Sequence, residues 1–241
     1  MKKFIIIDEV WSLIPARSGS KTIKGKNLKK ILNYSLIAHA IKVSKKSKLI
    51  SRTFLSTDSK KIKKEALKFN AEVPFLRNKK NSRDLSTDYE VIFEFLNKII
   101  KNEKTIPKYI LFLRPTSPLR SSKVLDKAIQ KFKKIKNYDS LVSVHKMAEP
   151  VHKKFFIKNN KLRPAFPKLS IDDANLPRQN FPNSYTGNGY LDIIKTKNIF
   201  NKKYLGKKCF PFVVSKTIDI DDKFDLDFAR YAAKHLYKLA K

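Results

Sequence analysis

Short β-branched and aromatic runs alternate with stretches of helical period along most of the chain. The pattern predicts strands at Val10–Ile14, Thr53–Ser56, Tyr109–Leu113 and Ser140–Val144, each followed by polar or Gly/Pro punctuation. The segments between them gather apolar residues on one helical face. Leu36, Ile37, Ala40 and Ile41 do so in Asn33–Val43, and Ile62, Ala66 and Leu67 in Ser59–Phe69, which Ser59 can cap. Val91, Ile92, Phe95, Leu96 and Ile99 do so in Thr87–Ile100, and Val124, Leu125, Ile129 and Phe132 in Ser122–Ile135. Such alternation predicts an α/β fold with a mostly parallel sheet under covering helices.

The rhythm breaks at about Met147 and resumes after Tyr185. Pro150, Pro164, Pro167, Pro177 and Pro182 punctuate this stretch, and Asn159-Asn160 joins two short runs, Lys153–Ile157 and Leu162–Phe166. The segment reads as a hairpin-bearing insertion, at approximately 147–185, within a single domain over 1–241. An insertion of this kind covers a site or makes a dimer contact; a plain surface excursion fits the pattern as well. The strand–helix rhythm then continues at Gly189–Ile194, with a last strand at Val213–Ile220 and a closing helix at Leu226–Leu239.

Composition narrows the class. Hydrophobic residues are 41% of 241, enough for a substantial core and too many for a disordered polyelectrolyte. The chain carries 54 Lys and Arg against 21 Asp and Glu, a net +33. That charge is mostly Lys, spread over predicted helix faces and not gathered into an Arg-rich patch, so no specific nucleic-acid partner is expected. Attraction of anionic substrates is the expected consequence. No apolar run approaches the roughly 20 residues that span a bilayer, so no membrane partner is expected. Asp8 and Glu9 interrupt the apolar start Met1–Ile7, and Cys209 is the sole cysteine, so a reducing, cytoplasmic location is expected. His39, His145, His152 and His235 have no metal-ligand spacing.

In an open parallel sheet, ligands bind beyond the carboxyl ends of the strands, so the loops there carry the candidate chemistry. The first runs from Pro15-Ala16-Arg17-Ser18-Gly19-Ser20-Lys21 to Lys26-Asn27-Leu28 and combines Gly19 and Gly25 with the cations Arg17, Lys21 and Lys26. Its composition suits phosphate, and equally a solvated basic turn. It is not a Walker A loop, because Asn27 stands where Ser or Thr would contact magnesium, and no G-x-G-x-x-G occurs. Ser56-Thr57-Asp58-Ser59 could bond a ligand or cap a helix. Arg114-Pro115-Thr116-Ser117-Pro118-Leu119-Arg120 is a rigid turn bearing hydroxyls and arginines, and Gly187-Asn188-Gly189-Tyr190 sets an amide between glycines. Asp219 and Asp221 flank Ile220 and would share one face of a strand, a pairing suited to a hard divalent cation or to solvent.

Taken in order, these loops resemble the CMP-sialic acid synthetases, the acylneuraminate cytidylyltransferases. The resemblance rests on Ile14–Lys21 with Lys26-Asn27-Leu28, Leu55–Asp58, Phe75-Leu76-Arg77 with Leu85–Asp88, Arg114–Arg120, Pro177-Arg178-Gln179, Asn188-Gly189 and Ile218–Asp221, and so spans nearly the whole chain. It implies a three-layer α/β/α sandwich with a dimerisation insertion. It also implies transfer of CMP from CTP to the anomeric hydroxyl of a nonulosonic acid, with Mg2+ and release of pyrophosphate, by a homodimer. Carried over by position, Arg17 and Lys21 would hold the triphosphate as the catalytic cations. Ala16, Ser18, Lys26, Asn27, Arg77, Ser86, Thr87, Arg114, Thr116 and Ser117 would bind the nucleotide. Arg178, Asn188 and Gly189 would face the sugar acid, and Asp219 and Asp221 would bind the metal. The chain departs from the family at Thr22 and Lys24, at Arg114 where many relatives have glutamine, and at His152, nearest the position where some have a lysine for the sugar carboxylate. Lys26-Asn27-Leu28 differs from the Lys-Pro pattern of the 3-deoxy-manno-octulosonate enzymes. That activity, another sugar nucleotidyltransferase, and a basic RNA-binding module are the alternative readings. Pro-Thr-Ser-Pro-Leu-Arg with Asn-Gly-Tyr leans away from the pseudaminic branch, and no residue is marked as the general base.

Overall fold

The computed structural model describes residues 3–236. In chain order the elements are β1 (Ile5–Pro15), β2 (Lys30–Ile31), β3 (Tyr34–Ser35), α1 (Leu36–Lys45), β4 (Arg52–Ser56), α2 (Lys60–Leu67), α3 (Asp88–Glu103), β5 (Thr105–Phe112), α4 (Ser122–Lys134) and β6 (Ser140–Lys146). They continue as β7 (Phe155–Lys158), β8 (Lys161–Pro164), α5 (Ile171–Asn175), β9 (Tyr185–Lys195), α6 (Thr196–Phe200), β10 (Cys209–Val213) and α7 (Lys223–His235). The main sheet has the order β10-β6-β9-β5-β1-β4. β1 pairs in parallel with β4 and β5, β10 in parallel with β6, and β9 runs antiparallel to both β5 and β6.

Two cores, one on each face of the sheet, make the three layers. Val10 and Ile14 of β1 point into a core with α1, α2 and α4; Trp11 and Leu13 point into the opposite core with α3 and α6. All four side chains are at most 1% exposed, as a central strand covered on both faces requires. Ser12, the polar residue in this run, is satisfied inside the core: its hydroxyl lies 2.6 Å from that of Ser44, which lies 2.8 Å from that of Thr53.

Three elements differ from the sequence pattern. α1 begins at Leu36 and not at Asn33, because β2 and β3 close a small antiparallel ladder and Ser35 Oγ caps the helix by accepting from Ala38 N. β9 does not continue a parallel series. The insertion returns the chain to the carboxyl end of β6, where Met147 N donates to Ser184 O at 2.9 Å, so the next strand can only run back. The strand expected over Val213–Ile220 is corrected to Cys209–Val213. After Val214 N bonds Val144 O the chain leaves the sheet, and Ile220 packs instead with Ile23, Ile31, Leu36, Leu119 and Leu226 beneath α7. The insertion's hairpin, β7 and β8, turns at Asn159 and Asn160, both with positive φ, and its strand residues are largely exposed. Residues 237–239 of the predicted closing helix lie outside the described residues.

Candidate active site

The carboxyl ends of β1, β4 and β5 lie side by side, and the loops that leave them share one edge of the sheet. The loop after β1 is tied down through its backbone. Ala16 N donates to Ser56 O at 2.9 Å, Ser18 donates from N and Oγ to the two carboxylate oxygens of Asp58 at 2.8 and 2.6 Å, and Asn27 Nδ2 donates to Arg17 O at 2.9 Å. Gly25, at φ +65°, makes the left-handed step into a 3-10 turn over Lys26–Leu28. Arg17 and Lys26 then line a cleft of about 300 Å³ together with Asn27, Arg77, Ser86, Arg114 and Thr116. Arg83, Asp84 and Asp88 line it too.

The backbone around the paired aspartates joins the loop that borders this cleft. Lys26 Nζ donates to the backbone oxygens of Ile220 and Asp221 at 2.9 and 3.0 Å, Thr22 Oγ1 donates to Asp221 O at 2.5 Å, and Ile220 N donates to Thr116 O at 2.9 Å. Burial of Ile220 turns Asp219 and Asp221 outward on its two sides. Ser117 Oγ donates to Asp219 Oδ1 and to Asn188 O, both at 3.3 Å, which joins the turn after β5 to the start of β9. At Gly189, with φ +64°, an added Cβ would stand 3.1 Å from Ser117 Oγ and 3.3 Å from Asp219 Oδ2, so both backbone geometry and space call for glycine there. The basic loop and the carboxylates therefore converge from sequence positions about two hundred residues apart.

Two buried arginines and a half-buried one brace the edge. Arg77 Nε donates to Ser56 Oγ at 3.0 Å, and burial pushes its guanidinium down to about 10 against the pull of Asp58, Glu94 and Asp88, so it stays charged at neutral pH. Arg120 donates from Nε to Tyr190 O at 2.5 Å and from Nη2 to Arg114 O and Gly189 O at 2.6 and 2.8 Å; burial pushes it also down to about 10. For Arg114, burial works against the charge, but Asp192, Tyr204 and Asp88 outweigh it and raise its pKa above the ordinary arginine range. Arg114 Nη1 donates to Asp192 Oδ2 at 2.8 Å and Nη2 to Asp88 Oδ2 at 2.5 Å.

Other predicted residues have different surroundings. Thr87 caps α3: its Oγ1 accepts from Glu90 N at 3.2 Å while Glu90 Oε2 accepts from Thr87 N at 2.7 Å, and it does not line the cleft. Arg178 does not line the cleft but a larger cavity of about 670 Å³ between the insertion and the end of β6, with Lys146, Gln179 and Asn183. Lys21 reaches Asp84 Oδ2 at 2.7 Å, and Arg17 Nη1 reaches Asp84 Oδ1 at 2.5 Å. The sequence had not singled out Asp84, Asp88 or Arg120 as site residues, nor linked Asp58 to the first loop. Asp84 sits just before Leu85-Ser86-Thr87-Asp88 and Asp88 ends it, so proximity to that motif was the available signal.

An open, mostly parallel sheet with a cation-lined cleft at the carboxyl ends of its strands is an α/β architecture suited to an anionic ligand. The cytidylyltransferase family model matches residues 11–200, and the chain belongs to that family. It is 30% identical to the CMP-N,N'-diacetyllegionaminic acid synthase of Legionella pneumophila, over 90% of this chain and 92% of that one. It is 28% identical to a pseudaminic acid cytidylyltransferase of Campylobacter jejuni, over 94% of this chain and 95% of the relative. Among solved structures, a CMP:2-keto-3-deoxy-manno-octonic acid synthetase complexed with CTP shares the fold, with a TM-score of 0.70 at 15% identity, over 95% of this chain and all of that one.

Proposed function

We propose that this protein transfers CMP from CTP to the anomeric hydroxyl of a nonulosonic acid and releases pyrophosphate. The observation that carries the reading is the meeting of Thr22 and Lys26 with the backbone of Asp221, which sets the segment of the two aspartates against the basic loop. In the reaction a sugar hydroxyl oxygen bonds to the α-phosphorus and gives up its proton to solvent, the bond to the bridging oxygen of the β-phosphate breaks, and pyrophosphate leaves with the electron pair. Cations at the leaving and equatorial oxygens are what such a step needs. Arg17 and Lys21 would neutralise the triphosphate, Lys26 and Asn27 would hold the nucleotide, and Arg178 with Asn188 would face the sugar acid. The named activities of the legionaminic and pseudaminic relatives support a nonulosonic acid substrate.

Asp219 and Asp221 suit magnesium. Among the described residues no cluster of three or more His, Cys, Asp or Glu is poised for a metal, so the protein offers two carboxylates and leaves other positions to phosphate oxygens and water. A magnesium ion held there would neutralise the charge of the polyphosphate. The largely exposed hairpin, with Phe156 and Ile157 outward, supports a homodimer formed through the insertion. The test is a panel of sialic, legionaminic, pseudaminic and 3-deoxy-manno-octulosonic acids against each of the four nucleoside triphosphates, followed by pyrophosphate release. CTP with a nonulosonic acid is expected to react. Turnover only with the octulosonic acid, or polynucleotide binding with no CTP consumed, would replace the reading.

A further inference from the structure

The two cations given to the triphosphate already hold an anion from the chain itself. Asp84 Oδ1 accepts from Arg17 Nη1 at 2.5 Å and Asp84 Oδ2 from Lys21 Nζ at 2.7 Å, so one carboxylate bridges both. Its segment is anchored unevenly. At the base, Glu94 of α3 accepts from Asn78 N at 2.8 Å and from Asn81 Nδ2 at 2.5 Å, and Arg77 is buried. Farther along, Leu85 is 92% exposed, and among the described residues the Asp84 carboxylate bonds Arg17 and Lys21 alone. Asp84 sits in a turn closed by Arg83 N to Ser86 Oγ at 3.0 Å and Ser86 N to Arg83 O at 3.1 Å, and its carboxylate lies between cations that would otherwise repel one another.

A phosphate oxygen bound to the same two nitrogens would stand within a few ångströms of this carboxylate, where like charges repel. We propose that Asp84 is an internal counter-anion: it holds Arg17 and Lys21 until nucleotide binds, is displaced by the polyphosphate of the incoming nucleotide, and returns to those cations to speed the departure of pyrophosphate. This rests on the assignment of Arg17 and Lys21 to the triphosphate. The device trades affinity for release, so its signature is a variant that binds its ligand more tightly than the parent.

Calorimetric titration with inorganic pyrophosphate and with tripolyphosphate, in metal-free buffer, tests it. Asp84→Asn keeps the size and removes the charge, and is expected to bind both anions about three- to tenfold more tightly, as befits loss of two exposed competing ion pairs. In turnover it is expected to show stronger inhibition by added pyrophosphate. Asp227→Asn, at a surface pair with Arg230 on α7, controls for net charge and is expected to leave binding unchanged. Equal or weaker binding by Asp84→Asn, or equal tightening by Asp227→Asn, would overturn the proposal. Arg17→Ala and Lys21→Ala separate it from the reading beneath it. If these lose pyrophosphate while Asp84→Asn does not tighten, the counter-anion alone fails; if they bind it as the parent does, the triphosphate assignment fails and takes the counter-anion with it.

Discussion

Arg17 and Lys21 are surface cations whose worth depends on what they face. Paired with an exposed carboxylate in water each contributes little to stability, but aimed at charge that develops as pyrophosphate leaves, one such donor is worth ~3–4 kcal/mol. Arg17→Ala and Lys21→Ala are accordingly expected to lower kcat by about 10²–10³-fold with an unchanged melting temperature, read by pyrophosphate release beside a thermal scan. Asp221→Asn removes one of two outward carboxylates and is expected to shift the magnesium dependence of turnover to higher concentration; a superimposable metal titration would remove Asp221 from the metal site. These residue types were legible in the chain because each lies in a short motif after a strand. Asp84 was not, since an acidic residue in a lysine-rich loop has no periodicity to mark its partner, and only the fold brings it to Arg17.

Helix α3 shows how a single residue can serve an element more than a ligand. Thr87 and Glu90 form a reciprocal capping box, which satisfies two backbone donors at the helix start. Thr87→Ala is expected to cost ~0.5–2 kcal/mol in urea unfolding and to leave KM for CTP in place. The opposite pattern, intact stability with a raised KM, would return Thr87 to the nucleotide site. The strands β1, β4, β5 and β6 were readable from apolar runs because they are buried on at least one face and bounded by turn residues. The placement of β10 was not. Both Cys209–Val213 and Val213–Ile220 contain alternating apolar residues, and the choice falls to whichever segment finds an edge to pair with; Ile220 finds a different core. Nor could periodicity give the direction of β9, which follows from where the insertion hands the chain back.

At the scale of the whole molecule, charge and cover are the open quantities of the sequence. If the exposed hairpin is a dimer contact, Phe156→Asp with Ile157→Asp is expected to convert a dimer into a monomer by light scattering, with the sheet's far-UV signal retained. Asp139 ties the end of β6 to the strand beside it by accepting from the backbone N–H groups of Lys207 and Lys208, hydrogen bonds that hold its carboxyl below its ordinary value of 3.8. A depressed carboxyl stabilises the fold above its unfolded value, and that contribution is lost as pH falls through the folded one. Asp139→Asn is therefore expected to lower stability at pH 7 and to shrink the loss between pH 5 and pH 3 in denaturant titrations. The sequence by itself determined helices α1, α2, α3, α4 and α7, most of the sheet's strands and the loops that bear cations, hydroxyls and carboxylates, because burial period and turn chemistry are local properties. Tertiary structure alone decided which of those loops meet, that Arg114 is taken up by Asp88 and Asp192, that Arg178 looks into a separate cavity, and that Asp84 answers Arg17 and Lys21. Those facts are pairings between residues far apart in the chain, set by strand order and packing, and no local pattern encodes them.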